Sequence, residues 1–470
     1  MTNLNDTIAA ISTPVGQGGI GIVRLSGGNA LRIADAVFVS KDKQRPSGFK
    51  TYTVHYGWVI DRKLKIENRR AKRAFIDEAI LTVMRAPRSY TREDVVEINC
   101  HSGIVPLKKT LELVLRRGAR LAEPGEFTRR AFLNGRIDLI QAEAVRDIVQ
   151  SKSEAALRVG LNQLQGRLSK NILSARERLF EAYAHLEAAI DFPDEDIEVS
   201  GRNKLKKDIE TAAGDIAQLL SGSRRGKILR EGILVAICGR PNAGKSSLLN
   251  CLLKEERAIV THIPGTTKDT IEETINIDGI PVRLVDTAGI TEPKDLIEEE
   301  AIKRSNQAIE AADIILYLID ASVGISKADR KILGRLDDKK LIIVVNKIDL
   351  KPRINSATLK RLCQGRLLKR VSALKAIGIR QLEEALAKEI WGGGFKPRED
   401  LLISNIRHIE LLKTAREAAA GALSALNDGL SAEFIGCELK AALDALDRIT
   451  GKAFAAELLD KIFADFCIGK

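Results

Sequence analysis

A glycine-rich turn at residues 239–246 carries the clearest chemistry in this sequence. It reads Gly-Arg-Pro-Asn-Ala-Gly-Lys-Ser, which fits the spacing G-x-x-x-x-G-K-[ST], and it follows an apolar run and opens a helical pattern. In such a loop the backbone N–H groups and the helix N-terminus hold phosphate oxygens. Lys245 would reach the β- and γ-phosphates, and Ser246 would ligate Mg²⁺. The turn therefore predicts a nucleoside triphosphate site.

Three further motifs follow in order along the chain. Asp286-Thr-Ala-Gly289 ends an apolar strand, where the carboxylate can hold Mg²⁺ through water and the Gly289 N–H can meet the γ-phosphate. Asn346-Lys-Ile-Asp349 ends a later strand, and its carboxylate can accept hydrogen bonds from guanine N1–H and N2–H₂. Adenine lacks that donor pair, so this motif predicts GTP rather than ATP.

Two shorter segments complete the pattern. Ser372-Ala-Leu374 is placed to lie behind the guanine base. Thr267, in a Thr-Thr pair, would be the switch-region threonine that ligates Mg²⁺. The motifs lie in the order expected for a G domain, at the ends of predicted strands. Together they predict a GTP-binding α/β domain.

The group that performs hydrolysis is less evident. Ile290 stands where small GTPases often carry a water-positioning glutamine, so another group must orient the water. Glu298 begins an acidic run that is either a solvated helix start or the source of that group; the residues alone leave both open. Asn242, inside the phosphate loop, offers an oxygen for a monovalent cation that would stabilise developing negative charge.

The elements that position these residues fall into regions of different pattern. Residues 1–134 mix short strands with turns, and 231–390 alternate strands with helices, whose near-continuous apolar strands predict a parallel sheet covered on both faces. Residues 135–230 and 391–470 are helical. We predict one discontinuous helical domain into which the α/β domain is inserted; three independent domains are the alternative. Gly-rich breaks at 221–226 and 391–394 are interpreted as hinges.

Composition limits the class of protein. The 470 residues carry 75 Lys+Arg and 63 Asp+Glu, and the resulting net charge of +12 lies mainly in residues 1–134, where 23 basic and 13 acidic residues leave +10. That excess is either a site for polyanions or a solvated face. No apolar run is long enough to span a membrane. The six scattered cysteines show no C-x-x-C pair, which favours a reducing cytosol over a disulfide framework.

Several segments resemble one known family, the tRNA modification GTPases called MnmE or TrmE. The segments that carry the resemblance are 13–24, 124–134, 187–193, 239–247, 258–269 and the terminal Phe466-Cys-Ile-Gly-Lys470. The terminal Cys-x-Gly-Lys and the Pro-Gly-Glu-Phe at 124–127 are specific to that family, whereas the G-domain motifs are shared by many GTPases. Lys268 departs from the arginine usual at that position, so any bidentate contact of that arginine is lost.

The resemblance implies a fold class that is multidomain, with α+β and α/β parts. An N-terminal α+β domain (1–134) would bind tetrahydrofolate and mediate dimerisation. An all-α helical domain is discontinuous (135–230 and 391–470) and carries an inserted P-loop, Ras-like α/β G domain (231–390).

The resemblance also assigns site residues. Ser246 and Thr267 would bind Mg²⁺, and Asn242 with the backbone of Thr261, Ile263 and Thr266 would hold K⁺. Glu298 would orient the attacking water. The GTP site would comprise Asn242, Ala243, Gly244, Lys245, Ser246, Ser247, Thr261, His262, Ile263, Pro264, Gly265, Thr266, Thr267, Asp286, Thr287, Ala288, Gly289, Asn346, Lys347, Asp349, Ser372, Ala373 and Leu374.

By the same resemblance Arg24, Glu97, Arg136 and Lys470 would contact 5-formyl- or methylene-tetrahydrofolate. The anionic glutamate tail of a folate suits arginine, and its pterin N–H groups suit a carboxylate. Without the resemblance, Glu97 reads as a surface ion pair and Lys470 as a frayed terminus. Cys467 invites a nucleophile role, but no base lies beside it in the sequence, so a packed or folate-adjacent thiol is the preferred interpretation.

The function implied is K⁺-dependent GTP hydrolysis that drives G-domain dimerisation, coupled to one-carbon chemistry on tRNA. A homodimer would act with an FAD- and NADH-dependent partner in a heterotetramer, in the cytoplasm and without a membrane. Together they would add an aminomethyl-type or carboxymethylaminomethyl group to C5 of the wobble uridine of certain tRNAs. The alternative is a ribosome-assembly or RNA-binding GTPase switch that modifies no tRNA; we find no KH or RRM signature to favour it.

Overall fold

A computed structural model shows how the chain folds. The described residues are 6–62, 74–191, 199–255, 272–287, 296–336, 338–363, 365–392 and 402–470. The chain divides into two units. The first comprises 1–146, 163–209 and 421–470, and the second comprises 147–162 and 210–420. The domain boundaries expected from the sequence stay a prediction.

Strands and helices of the described ranges are numbered here in chain order. The strands are β1 (Ile8–Ile11), β2 (Gly21–Ser26), β3 (Phe38–Ser40), β4 (Thr53–Asp61), β5 (Ala74–Met84), β6 (Val95–Cys100), β7 (Arg120–Leu121), β8 (Ile233–Gly239), β9 (Glu272–Ile277), β10 (Ile280–Asp286), β11 (Ile314–Asp320), β12 (Leu341–Asn346) and β13 (Leu367–Arg370). The helices are α1 (Ala30–Val37), α2 (Ile104–Arg116), α3 (Glu126–Leu133), α4 (Leu139–Gln150), α5 (Glu154–Leu164), α6 (Arg167–Asp191), α7 (Val199–Ser221), α8 (Ser223–Glu231), α9 (Lys245–Glu255), α10 (Leu296–Ala311), α11 (Lys327–Arg335), α12 (Ser356–Cys363), α13 (Ile379–Trp391), α14 (Ile406–Asn427), α15 (Ala432–Thr450) and α16 (Ala456–Ala464).

The first unit contains a seven-stranded mixed sheet in the order β3-β4-β5-β6-β2-β1-β7. Side chains alternate between its two faces, as they must in extended strands. Val23 and Ile98 belong to the buried core that also contains residues of α1 and α2. Arg24 and Glu97 are cross-strand partners in the β2–β6 register, so they share the opposite face. The alternation therefore brings a charged pair together in the middle of the sheet.

Helices complete this unit. The long helix α6 packs along α15, and Arg176 joins them through two hydrogen bonds to the Asp447 carboxylate, at 2.5 and 3.0 Å. Helix α16 packs against α3, where Phe463 and Phe132 share one apolar cluster. The last residues of the chain are thereby brought to the folded N-terminal segment.

The second unit is built on a six-stranded sheet in the order β13-β12-β11-β8-β10-β9. The strands β8, β10, β11, β12 and β13 pair in parallel, and β9 pairs with β10 in antiparallel register. Apolar clusters lie on both faces of this sheet. The prediction of parallel strands with two covered faces is confirmed, and the α+β and α/β fold class with it.

The first predicted hinge, 221–226, is wrong in length. Helix α7 ends at Ser221 and α8 begins at Ser223, so the helical path is interrupted at Gly222 alone. Gly226 lies inside α8, where an added Cβ would collide with the Ile403 carbonyl oxygen. This glycine allows two backbones to approach closely rather than the chain to bend. At the second predicted hinge α13 ends at Trp391, and 393–401 lie outside the described residues.

Helix α6 ends at Asp191, and Pro193, the last residue of the segment 187–193 that carries the resemblance, lies outside the described residues. Within the described ranges, none of the helices combines the length and the apolar character that crossing a membrane demands.

Candidate functional site

The predicted nucleotide-binding residues meet at the carboxyl ends of the parallel strands. The phosphate loop follows β8, Asp286 ends β10, Asp320 ends β11 and Asn346 ends β12. The sheet order places β8 between β11 and β10, so the next two parallel strands along the chain lie on opposite sides of β8. A crevice forms at such a switch point in open α/β sheets, outside the carboxyl ends of the strands.

Two glycines give the phosphate loop its shape. Gly239 has φ +149°, and a Cβ there would lie 2.6 Å from the Leu318 carbonyl oxygen. Gly244 has φ +93°, and its Cβ position would overlap the Asn346 side-chain amide. Both positions require glycine because only glycine adopts these conformations without a steric cost and leaves room for the neighbour. The loop then enters α9 at Lys245.

Lys245 lies beneath this loop. Its side chain is buried, and Nζ donates to the carbonyl oxygens of Gly239 and Arg240, each at 3.2 Å. Burial lowers the pKa of Lys245, while the nearby Asp286 carboxylate acts in the opposite direction. The loop carbonyls hold the ammonium at the start of α9, where it can pair with phosphate oxygens.

Ser246 and Asp286 form a site suited to Mg²⁺. The Ser246 hydroxyl donates to Asp286 Oδ2 at 2.7 Å. The other oxygen, Asp286 Oδ1, is buried and has no hydrogen-bond partner within the described part of the chain. A hard divalent cation prefers hydroxyl and carboxylate oxygens, directly or through water, and would satisfy this oxygen. The donor set therefore fits Mg²⁺. Thr267, the second predicted ligand, lies outside the described residues.

The base-recognition residues are held together by hydrogen bonds. Asn346 is buried; its Nδ2 donates to the Ala243 carbonyl at 2.9 Å, and its Oδ1 accepts from the Ala373 N–H at 3.0 Å. The Ser372 hydroxyl donates to Asp349 Oδ1 at 2.6 Å and so lowers the pKa of that carboxyl. Asp349 is consequently ionised and oriented to accept hydrogen bonds from a base.

The remaining predicted contacts differ in exposure. Leu374 is 85% exposed beside the base position, and the Ser247 side chain is exposed on the first turn of α9. Thr287 is buried, and its hydroxyl donates to the Ile237 carbonyl at 2.9 Å, which ties β10 to β8. The Thr287 side chain is thus already engaged within the sheet.

Several predicted residues cannot be placed. Glu298 falls in the first turns of α10, and its side chain is outside the described part. Also outside the described residues lie Thr261, His262, Ile263, Pro264, Gly265, Thr266, Thr267, Ala288 and Gly289. The predicted roles of these residues, including the K⁺ contacts and the water-orienting glutamate, stay predictions.

The predicted folate-binding residues lie in the first unit. Arg24 Nε donates to Glu97 Oε1 at 2.7 Å, and Arg24 Nη1 donates to the Gly469 carbonyl at 3.0 Å. Gly469 has φ +93°, and a Cβ there would lie 2.6 Å from the Ile11 carbonyl oxygen. The chain terminus is therefore packed against β1, and Lys470 is brought to the Arg24–Glu97 pair by its neighbour in sequence.

Arg136 is exposed and stacks on the Tyr90 ring, with its guanidinium carbon 4.5 Å from the ring centroid. The Arg24 guanidinium lies 5.7 Å from the centroid of Phe127. Tyr90 packs against the cluster that contains Phe127, so both arginines rest on one apolar group. Cys467 is exposed, and its carbonyl accepts from the Lys470 N–H at 3.3 Å.

Sequence reasoning missed some of the residues that shape these sites. Tyr90 was not singled out, and Phe127 was quoted only as part of a family-specific segment, because an aromatic in a mixed segment usually belongs to a core. Asp320 was missed as well, although it ends an apolar strand as Asp286 does, and that parallel was the available signal.

Comparison with known proteins gives a consistent result over the whole chain. Residues 7–136 match the profile described as "GTP-binding protein TrmE N-terminus", and residues 139–467 match the one described as "MnmE helical domain". The curated proteins named "tRNA modification GTPase MnmE" include similar sequences from three bacteria. The protein of Alkaliphilus oremlandii is 44% identical over 468 residues, that of Geobacillus kaustophilus 46% over 466, and that of Bacillus subtilis 44% over 466.

These alignments cover 99% of this chain and 99–100% of each relative. Among solved structures, a variant of Era from Aquifex aeolicus bound to GDP and AlF4⁻ aligns at 30% identity with a TM-score of 0.28. That alignment covers 40% of this chain and 66% of the other.

Proposed function

This chain belongs to the MnmE family of tRNA modification GTPases, and we propose that it hydrolyses GTP to drive one-carbon chemistry on tRNA. The reaction would install an aminomethyl-type or carboxymethylaminomethyl group at C5 of the wobble uridine of certain tRNAs. A tetrahydrofolate would supply the carbon, and an FAD- and NADH-dependent partner protein would supply the redox chemistry. The site of action would be the cytoplasm, where tRNA is found.

The observation that carries the folate proposal is the arrangement around Arg24. Its guanidinium joins the Glu97 carboxylate and the Gly469 carbonyl on one face of the sheet. A folate offers both an anionic tail and ring N–H donors, so it needs cations and a carboxylate close together. Arg136, which is exposed and stacks on the Tyr90 ring, would add a second cation, and Lys470 would add a third. The three cations and one carboxylate match that requirement.

The GTPase proposal draws on the second unit. Lys245 would pair with the phosphates, and Ser246 and Asp286 would hold Mg²⁺, which supplies charge stabilisation at the β- and γ-phosphate oxygens. Asp349, held by Ser372, would select guanine. We further propose that Asn242 with Thr261, Ile263 and Thr266 holds K⁺, that Thr267 completes the Mg²⁺ site, and that Glu298 orients the attacking water.

GTP turnover in this proposal does conformational work. The described residues of the site suggest no phosphoryl acceptor other than water, so hydrolysis would govern association of two G domains and the rearrangement that follows. The working assembly would be a homodimer joined to the FAD-dependent partner in a heterotetramer. A GTPase switch that acts only in ribosome assembly would not need the residues around Arg24.

The proposal is tested by ligand-induced stabilisation of the purified full-length protein. With 5-formyltetrahydrofolate we expect a rise in thermal midpoint that depends on ligand concentration, since a ligand that binds only the folded state stabilises it. Folic acid, which lacks the reduced ring and the formyl group, is the comparison ligand. No stabilisation at millimolar 5-formyltetrahydrofolate would contradict a folate site in this chain.

A further inference from the structure

A lysine joins the base-recognition loop to the phosphate loop. Lys347 has φ +63°, a conformation that L-residues other than asparagine and aspartate rarely adopt. Its Nζ donates to the Asn242 carbonyl oxygen at 2.7 Å and to Asp320 Oδ2 at 2.6 Å. The ammonium therefore bridges the phosphate loop and the carboxyl end of β11.

The Asp320 carboxylate is itself held in place. Its Oδ1 accepts from the Ser322 backbone N–H at 2.8 Å and from the Ser322 hydroxyl at 2.6 Å. Asp320 also lies opposite Asn346 in the β11–β12 register, and Lys347 is the residue that follows Asn346. Both carboxylate oxygens are thus engaged, one by the turn after β11 and one by the lysine.

The surroundings keep the Asp320 carboxyl ionised. The Asp320 side chain is 13% exposed and that of Lys347 is 31% exposed. Burial alone would raise the pKa of Asp320, but hydrogen bonds from Lys347 and Ser322 outweigh it and leave the pKa below its usual value. An ionised Asp320 at neutral pH gives the lysine a fixed partner within the protein.

We propose that Asp320 is a positioning residue for nucleotide binding, and that it acts by holding the Lys347 ammonium against the Asn242 carbonyl. A lysine side chain is a flexible stem with a compact charge, and ordering it on binding costs conformational entropy. Because Asp320 orders it beforehand, the phosphate loop and the base loop are joined before the ligand arrives. Preorganisation of this kind increases affinity without adding a contact to the ligand.

The proposal predicts a particular pattern of selectivity. Asp349 would accept hydrogen bonds from the guanine-specific donors, whereas the carboxylate oxygens of Asp320 are engaged by Lys347 and Ser322. Inosine nucleotides lack the 2-amino group, so they lose one of the hydrogen bonds to Asp349 but none that depends on Asp320. Loss of Asp320 should therefore weaken the binding of GDP and of IDP by the same factor. Loss of Asp349 should instead reduce the preference for GDP over IDP.

The test is a double-mutant cycle on the full-length protein, with Kd for GDP and IDP measured by calorimetric titration in Mg²⁺. We expect Asp320→Ala to raise the Kd of both nucleotides about tenfold, as for loss of a hydrogen bond to a charged group. The ratio of the Kd for IDP to the Kd for GDP should stay unchanged. In a Lys347→Ala background the same change should cost less than about twofold, because its effect passes through the lysine. Asp338→Ala, at an exposed site in the same unit, is the matched control and should leave Kd unchanged.

Asp320→Asn separates positioning from folding. It keeps one acceptor oxygen and the shape of the side chain, and should recover part of the affinity lost in Asp320→Ala. If Asp320→Ala fails to fold, judged by its thermal midpoint without nucleotide, Asp320→Asn takes its place in the cycle. Equal losses of affinity in the wild-type and Lys347→Ala backgrounds would overturn the proposal. So would a reduced preference for GDP over IDP in Asp320→Ala.

Discussion

Arg24 donates through Nη1 to the backbone carbonyl of Gly469, at 3.0 Å, so a residue of the second strand holds the next-to-last residue of the chain. The same guanidinium pairs with Glu97 on the neighbouring strand. Gly469 fits against the Ile11 carbonyl only without a Cβ, so any side chain at this position would displace the terminus. The arrangement makes the predicted folate site a joint product of the N-terminal sheet and the C-terminal tail.

Arg24→Ala should weaken 5-formyltetrahydrofolate binding by at least tenfold. The change removes one cation for the ligand and leaves Glu97 without its partner, which adds repulsion toward an anionic ligand. Thermal shift and calorimetric titration would measure it. Arg32→Ala, at an exposed position on α1, removes the same charge elsewhere in the unit and should bind folate normally. Equal affinity in Arg24→Ala and Arg32→Ala would place the folate elsewhere.

Glu298→Ala should abolish most GTP turnover while GDP affinity stays within about twofold. This expectation follows from the proposed water-orienting role, in which the side chain would act on the attacking water and not on the bound nucleotide. Single-turnover hydrolysis and a separate nucleotide titration distinguish the two. Glu300→Ala, two residues along the same acidic run, serves as the comparison. Loss of nucleotide binding in Glu298→Ala would instead indicate a structural role.

GTP hydrolysis should be at least tenfold faster in KCl than in NaCl at equal ionic strength. A monovalent cation held by Asn242 beside the phosphates would offset the negative charge that develops during phosphoryl transfer, and the smaller Na⁺ fits a K⁺ cage poorly. Steady-state phosphate release with each salt measures the effect. Equal rates in the two salts would remove the cation from the proposal.

Glu126→Gln should destabilise the first unit by about 3 kcal/mol. Arg130 is 1% exposed and contacts Glu126, Glu93 and Asp6, so weakening one partner leaves a buried cation incompletely compensated. Urea denaturation followed by circular dichroism provides the measurement. Glu123→Gln, which changes an exposed side chain three residues away, should have little effect.

The ion pairs of Glu126 also predict a pH dependence of the free energy of unfolding. Burial opposes ionisation of Glu126, but hydrogen bonds from Arg120, from the Glu123 backbone and from Arg130 outweigh it and lower the pKa below the ordinary 4.5. A lowered pKa in the folded state stabilises the fold fully above about pH 4.5, and the stabilisation is lost as the pH falls further. The difference between wild type and Glu126→Gln should therefore shrink on acidification below that value. A difference that stays constant down to pH 3 would contradict this account.

The G domain was the part that the sequence predicted best. The strands β10, β11 and β12 are mostly apolar and each ends in an aspartate or asparagine, so Asp286 and Asn346 could be assigned to one edge of a sheet before the fold was seen. The ion pair of Arg24 with Glu97 was not visible in this way, since it depends on the β2–β6 register. Register follows from pairing between distant segments, which local pattern does not specify.

The terminal contact and the Lys347 bridge were missed for a related reason. Gly469 meets Arg24 across almost the full chain, and no local pattern indicates this contact, although the family resemblance assigned Arg24 and Lys470 to one folate site. The Asp320–Lys347 pair joins two neighbouring strands, but a single aspartate after an apolar strand has many possible partners. The hinge expected at 221–226 was misread because glycine suggests flexibility, whereas Gly226 serves close packing inside α8.

Mass analysis of tRNA nucleosides in cells that lack this protein tests the central proposal most directly. We predict that the wobble uridines of the affected tRNAs lose their aminomethyl-type C5 group. Wild-type protein and Arg32→Ala should restore it, whereas Arg24→Ala should not. Wobble uridines that keep the complete C5 modification in the absence of the protein would contradict the account.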